Sequence, residues 1–366
     1  MKIRAAVCTA IDAPLEVREV DLRPPGPGEV LVRITATGVC ASDLHILDGS
    51  LPKPLPIVPG HEAAGQIAAV GDGVEHLAVD DRVVLTILPW CGICGACAAG
   101  RRRACEWTAR LAATGTLDGT ATALSIDGAP LHHFTAVSSW AGYAVVPQTA
   151  AIRIAADLPP TQAALLGCAV ATGFGAVRAA AAVQPGQSVA VVGCGGVGLN
   201  VVQAAALAGA DPVIAVDRNP DALALARTLG ATATLLVDDQ PADIGIRATV
   251  PAGVDHCFEV LGRPATVEAC WRATAAGGQT TVVGLLPATS TITLGAFDLI
   301  AEKRLVGTYL GGVTPQDDLP ELARAAAAGE IALAPLVEEI TLDDLPEAVQ
   351  RLRAGTVTAR QVVRLD

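Results

Sequence analysis

A β-type run, Ser188–Val192, passes directly into Gly193-Cys194-Gly195-Gly196-Val197-Gly198, and Ala-rich helical sequence follows at once. A glycine turn between a strand and a helix is the signature of a βα unit built to hold a dinucleotide. Gly193 permits the tight turn, Gly195 lets the backbone approach a pyrophosphate, and Gly198 lets the helix pack close to the sheet. Gly196 and Val197 then present free N–H groups at the positive end of the helix. Asp217 ends the next strand, about twenty residues on, where a carboxylate accepts hydrogen bonds from ribose hydroxyls. Its charge repels a 2′-phosphate and favours NAD over NADP, while the neighbouring cation Arg218 opposes that preference. Leu285, just beyond the run Gln279–Val283, completes the expected cofactor contacts. A plain glycine turn without ligand is the alternative.

The surrounding texture sets the fold class. Apolar strands without alternation (Ser188–Val192, Pro212–Val216, Gln279–Val283) are separated by helical stretches such as Val197–Ala208 and Asp221–Leu229. That order predicts an α/β fold, a doubly wound parallel sheet covered on both faces. From Met1 to about residue 156 the texture is different, with short runs (Glu29–Ala36, Ala64–Val70, Asp81–Leu88) broken by Gly- and Pro-rich turns. An irregular β-barrel domain is expected there. Near Tyr309 the strand–helix alternation stops. The tail, with helices expected at Glu321–Gly329 and Leu345–Ala354, is short for a domain and should pack back on the first one.

A length of 366 residues suits two domains, and 51% apolar against 17% charged residues supplies ample core. The formal charge of −12 argues against nucleic acid; Arg101, Arg102 and Arg103 form the one basic run and are expected in a solvated loop. Ala163–Val183 is apolar enough to raise the question of a membrane, but it is rich in Ala and Gly, contains Arg178 and leads into the βα unit. A buried helix is expected. The N-terminal apolar stretch is too short for a signal peptide, which points to the cytoplasm.

Four of the ten cysteines crowd into one loop, Cys91, Cys94, Cys97 and Cys105, spaced C-x2-C-x2-C-x7-C. Four thiolates in one loop suit a closed tetrahedral zinc site with no position left for substrate, a structural site. An iron–sulfur cluster is the alternative. Cys40, His61 and Cys168 are dispersed; singly, each reads as a core residue, whereas together two Cys and one His would leave a fourth zinc position open.

These pieces occur in a recognisable order: Gly38-Val39-Cys40 with Ser42-Asp43 and His45, Gly60-His61-Glu62-Ala63-Ala64-Gly65, the four-cysteine loop, Gly167-Cys168, the glycine turn with Asp217, and Cys257-Phe258-Glu259-Val260. Along nearly its whole length the chain resembles the zinc-dependent medium-chain alcohol dehydrogenases. The resemblance implies a GroES-like catalytic domain from residues 1–169 and 310–366, with a Rossmann domain inserted over 170–309. It also implies two zinc ions per chain, NAD as hydride acceptor, and hydride transfer from an alcohol. Cys40, His61 and Cys168 look like the catalytic zinc ligands. Asp43 would hold the free ring nitrogen of His61, and Glu62 would lie behind the metal. Ser42 and His45 look like the proton relay, with His45 at its outer end, and Arg360 resembles a residue that meets a cofactor phosphate. Ala41 departs from members with Arg there, which implies weaker pyrophosphate binding.

Gly115-Thr116 and His132-His133-Phe134 resemble the long-loop branch, so a homodimer is expected, with His132 and His133 structural rather than ligands. Leu51, Ile87, Phe134, Trp140 and Leu310 fall where relatives line the alcohol site, and all are apolar. They favour primary aliphatic, allylic or benzylic alcohols. Leu51 and Ala109 stand where the glutathione-dependent formaldehyde branch carries charges, which disfavours that branch. Two rivals are a same-fold reductase of activated C=C bonds, against which the zinc ligand set counts, and a zinc- and dinucleotide-binding redox sensor using low-pKa thiolates.

Overall fold

The computed structural model describes residues 1–155, 157–238 and 240–365. The chain divides into two compact units, Met1–Cys168 with Thr314–Asp366, and Ala169–Val313.

The second unit is built on six parallel strands in the spatial order Ala233–Leu236, Val213–Asp217, Val189–Val192, Val254–Glu259, Thr274–Val282 and Arg304–Gly307. In chain order this is 3-2-1-4-5-6, the doubly wound arrangement, with its switch point between Val189–Val192 and Val254–Glu259. Crossover helices explain the unbroken apolar runs. Val189–Val192 has every residue buried, because both faces of a parallel sheet are covered. The helix Pro220–Thr228 is capped by the side chain of Asn219, which accepts the Asp221 N–H at 2.9 Å. The strand expected from Gln279 begins earlier, at Thr274, where a register shift between Val254 and His256 lets Thr274 pair with Val254.

The first unit has a five-stranded and a seven-stranded sheet. Glu29–Gly38 is the centre of the larger one. It pairs antiparallel with Ala63–Val70, Tyr143–Pro147 and the tail strand Arg360–Arg364, with Val362 opposite Gly38. The tail thus completes the first unit. Trp140, Phe134, Val39, Ile46, Leu47 and Val363 form a core beneath the short helix Ala41–Leu47.

The helical run Pro160–Ala181 is, among the described residues, long and apolar enough to cross a bilayer, but 83% of its most apolar window is buried inside the protein. Two π-helical turns interrupt it, Leu166–Val170 and Ala176–Ala181, where the sequence implied a uniform helix. The first passes so close to Leu85 that a Cβ on Gly167 would lie 2.5 Å from its carbonyl oxygen. Only glycine permits that approach, and it fixes the position of Cys168.

Candidate active site and metal centres

Cys40 is the N-cap of the helix Ala41–Leu47. Its N–H donates to Asp43 Oδ2 at 3.0 Å, while Asp43 Oδ1 accepts from the Gly60 N–H at 3.1 Å and from His61 Nδ1 at 3.0 Å. Asp43 is fully buried, so these donors replace the water it has lost. They also couple two distant loops through one carboxylate. With Nδ1 held, His61 offers Nε2 to a metal, the usual outer-shell arrangement at zinc. The donor atoms of Cys40, His61 and Cys168 lie within 4.8 Å of one another, and all three residues are buried. One zinc ion with bonds of about 2.0–2.3 Å can bridge such a set. The thiol of Cys40 is held well below its ordinary range, first by its hydrogen bond with Cys168 and then, against burial, by Arg360 and His61. A ready thiolate is what metal ligation needs.

Glu62 and Arg360 lie behind this set. Arg360 Nε is 3.0 Å from Glu62 Oε2 and Nη1 donates to the Val39 carbonyl at 3.1 Å. The guanidinium is only 5% exposed and is held in a buried ion pair with Glu62, a partner that the sequence does not announce. The strand register that sets Val362 opposite Gly38 turns Arg360 inward. Burial opposes its charge, but Cys40 and Glu62 outweigh that and hold the guanidinium protonated.

The second constellation is Cys91, Cys94, Cys97 and Cys105, again within 4.8 Å. Their sulfurs are 4.0 Å (91 to 97), 4.0 Å (94 to 105) and 3.6 Å (91 to 105) apart. Tetrahedral zinc–sulfur bonds of about 2.3 Å place sulfurs about 3.8 Å apart, so the loop fits the ion without rearrangement. Backbone N–H groups of Cys91 and Cys94 point at Cys105 and Cys91 sulfurs at 3.4 Å. Burial opposes ionisation of Cys105, yet N–H donation from Thr108 and Cys91 pulls its thiol down to about 6. Arg101, Arg102 and Arg103 are exposed, with Arg102 stacked 4.1 Å over Trp90.

In the second unit the glycine turn sits at the switch point. Gly193 has φ +101°, and a Cβ there would meet Leu261 at 2.8 Å. On Gly198 it would lie 1.8 Å from the Gly193 carbonyl oxygen, whereas on Gly195 it would meet nothing within 4 Å. The first and third glycines therefore build the turn, and the second leaves open space beside the backbone, which suits a pyrophosphate. The helix Gly196–Leu207 begins there and aims its N–H groups at the same space. Asp217 Oδ2 accepts the Cys194 N–H at 2.6 Å and Oδ1 the Asn219 N–H at 2.8 Å. The carboxylate is thereby fixed at the strand end. Arg218 is exposed beside it. Burial pushes the Cys194 thiol up, so this cysteine is inert. Leu285 is 38% exposed, near Gly262 at the same sheet edge.

Ser42 is half-buried, with Oγ 3.8 Å from Cys40 Sγ. His45, three residues on, bonds through Nδ1 to Ser50 Oγ at 2.7 Å, a partner the sequence reading missed. Of the apolar residues assigned to the pocket, Phe134 meets the His61 ring edge-on at 5.2 Å between centroids, and Leu51 and Ile87 are half-buried. Trp140 is corrected. It is fully enclosed, its Nε1–H donating to the Gly38 carbonyl at 3.1 Å, so it supports the site from within the core and offers no face to a ligand. Leu310 belongs to the second unit and is 4% exposed. His133 Nε2 accepts the Ala123 N–H at 2.9 Å, and burial pushes its pKa down to about 3. It is a neutral structural histidine, and neither it nor His132 joins a metal group among the described residues.

Comparison with known proteins agrees with this geometry. The family described as alcohol dehydrogenase GroES-like domain matches residues 26–156, and that described as zinc-binding dehydrogenase matches residues 196–328. An S-(hydroxymethyl)glutathione dehydrogenase of Photobacterium damsela subsp. piscicida is 37% identical over 360 residues, covering 97% of this chain and 98% of the relative. The crystal structure of an alcohol dehydrogenase zinc-binding domain protein from Burkholderia ambifaria superposes with a TM-score of 0.94 at 36% identity, covering 100% of this chain and 99% of that one. Benzyl alcohol dehydrogenase from Acinetobacter calcoaceticus gives 0.93 at 32% identity over 100% of both chains. A three-donor buried site, a closed four-cysteine loop and a dinucleotide turn, joined to these full-length similarities, identify an oxidoreductase acting on alcohols: the chain belongs to the zinc-dependent medium-chain alcohol dehydrogenases.

Proposed function

We propose that the chain oxidises primary aliphatic, allylic or benzylic alcohols with NAD and reduces the corresponding aldehydes in reverse. The observation that carries this reading is a set of three metal donors, not four, with the Ser42 hydroxyl beside Cys40. Zinc there supplies Lewis acidity toward an alcohol oxygen, and the nicotinamide supplies the hydride acceptor. The chain's own residues do the rest. Cys40, His61 and Cys168 would hold the metal, and Asp43 orients His61 through Nδ1. Ser42 Oγ accepts the alcohol proton while its own moves onward toward His45, on the same helix. Phe134, Leu51 and Ile87 give an apolar lining that favours uncharged substrates. A glutathione adduct carries carboxylates that Leu51 and the exposed Ala109 cannot pair, so it is not the proposed substrate, although curated relatives bear that name.

For the cofactor, the fixed carboxylate of Asp217 supports NAD. Relatives of this fold have been solved with NAD and with NADP, so the choice lies in this residue and Arg218. Asp217→Ser should raise turnover with NADP relative to NAD by about tenfold, roughly the effect of removing one close like-charge contact. Unchanged NADP selectivity would remove Asp217 from that role. A homodimer is supported by the edge strand Arg304–Gly307 and the exposed Phe297, Leu299 and Ile300 just before it.

The test is nicotinamide reduction by zinc-loaded protein with ethanol, hexanol, geraniol or benzyl alcohol, against parallel wells of NADP and of formaldehyde with glutathione. Turnover with NAD and the larger alcohols is expected. Turnover confined to formaldehyde with glutathione would refute the substrate class. Ser42→Ala should lower kcat by roughly 100-fold with zinc and NAD still bound, a loss that a redox sensor has no reason to show.

A further inference from the structure

Asp48 and Ser50 have no place in the relay described above. We propose that they form a positioning pair that locks His45 in its Nδ1–H tautomer, leaving Nε2 as the nitrogen that accepts the proton released by the alcohol. The inference rests on the alcohol dehydrogenase reading.

The local fold delivers both residues to the ring. The helix Ala41–Leu47 stops at Asp48, whose N–H still reaches the Leu44 carbonyl at 2.9 Å. Gly49 then turns the chain with φ +77°, and a Cβ there would meet Ile11 at 2.8 Å, so the turn needs glycine. The Leu51 N–H returns to the His45 carbonyl at 2.7 Å, which brings Ser50 beneath the imidazole.

The hydrogen-bond directions follow from proton counting. Ser50 Oγ donates to Asp48 Oδ1 at 2.6 Å, and the Ser50 N–H reaches the same oxygen at 2.8 Å. Burial raises the Asp48 carboxyl, but the Ser50 hydroxyl and N–H outweigh it and the net shift is downward. Asp48 is therefore an ionised, pure acceptor. A serine hydroxyl has one proton, and here Asp48 takes it. Toward His45, 2.7 Å away, Oγ has only lone pairs to offer. Nδ1 must be the donor, and Nε2 carries the free lone pair.

Such a lock pre-organises a base in the way a buried carboxylate orients a catalytic imidazole, with a hydroxyl interposed. Proton balance is simple. Nε2 gains the alcohol-derived proton while Nδ1–H stays hydrogen-bonded to Ser50 Oγ, and the proton leaves to water from the same nitrogen. Ser50 and Asp48 neither gain nor lose one. His45 and Ser50 are half-buried and Asp48 is exposed, so the outer end is solvated. Arg353, from the packed helix Leu345–Arg353, adds a cation that favours ionised Asp48, and Asp12 lies 4.0 Å from that cation.

The test combines ¹⁵N-histidine NMR of the zinc-loaded protein with kinetics, His45→Gln identifying the resonance. Wild type should show Nδ1–H at His45. Ser50→Ala should lose that tautomer and lower kcat by about tenfold, with KM for alcohol, zinc content and NAD affinity essentially unchanged. Ser50→Thr should restore both signals, and Asp48→Asn should fall between. An Nε2–H tautomer in wild type overturns the proposal, as does unchanged tautomer and kcat in Ser50→Ala. If no alcohol is oxidised by wild type, the functional reading fails by itself, and a tautomer lost in Ser50→Ala still upholds the positioning pair.

Discussion

Cys168→Ala should lower the zinc content by one equivalent per chain and reduce kcat/KM for alcohol by roughly 1,000-fold or more, the several kcal/mol that a Lewis-acid metal contributes to a hydride donor's activation. Cys168 is one of three donors in a buried set. Two protein ligands are fewer than catalytic zinc sites use, so the ion should be lost rather than merely loosened. Alanine is the informative replacement, because a serine hydroxyl could still reach a metal. The change is small in volume and lies where Gly167 already packs against Leu85, so folding should survive. Dinucleotide binding provides the internal control, since the glycine turn and Asp217 belong to the other unit. Metal analysis and steady-state kinetics decide the matter. Full activity at one zinc per chain would mean that this cluster is not the reaction centre.

The ease with which each part could be read from sequence follows from how local its physics is. The glycine turn is a contiguous device, and its three glycines act on neighbours a few residues away, so its geometry was legible. The four-cysteine loop was legible for the same reason. Apolar strands without alternation announced the parallel sheet because a sheet covered on both faces needs no polar side. Cys40, His61 and Cys168 were another matter. Their meeting depends on Asp43 bonding to Cys40 and Gly60 and on a π-turn packed against Leu85, neither of which has a sequence period, and only the family resemblance joined them. The ion pair of Arg360 with Glu62 escaped the sequence reading because the register of the tail strand decides what Arg360 faces. Trp140 did so because its enclosure depends on a bond to the Gly38 carbonyl across the domain. Ser50 and Asp48 sat in plain view beside His45. The missing signal was the left-handed Gly49 that folds them back.

Cys97→Ala should remove the other zinc equivalent and raise tryptic cleavage at Arg101–Arg103 by about a hundredfold, while leaving the three-donor cluster loaded. In the loop 91–105 only Ala96 and Cys105 are buried, and Ile93 is 89% exposed. Fixing a backbone costs roughly 1–2 kcal/mol per residue, and two small buried side chains offset little of that. The metal must supply most of the order, as in small zinc modules, where binding is worth about 10–16 kcal/mol. Losing even about 3 kcal/mol of local stability raises the open population by about two orders of magnitude, and proteolysis follows that population when opening is fast. Cleavage kinetics with and without chelator, set against alcohol turnover in the first minutes, separate this centre from the catalytic one. Equal loss of turnover in the uncut variant would mean that the loop's order is transmitted to the Cys40–His61–Cys168 set. Unchanged cleavage with one zinc missing would mean that the Trp90–Arg102 stack and the backbone turns hold the loop without metal, and the four sulfurs would then need another reason to lie at zinc-binding distances.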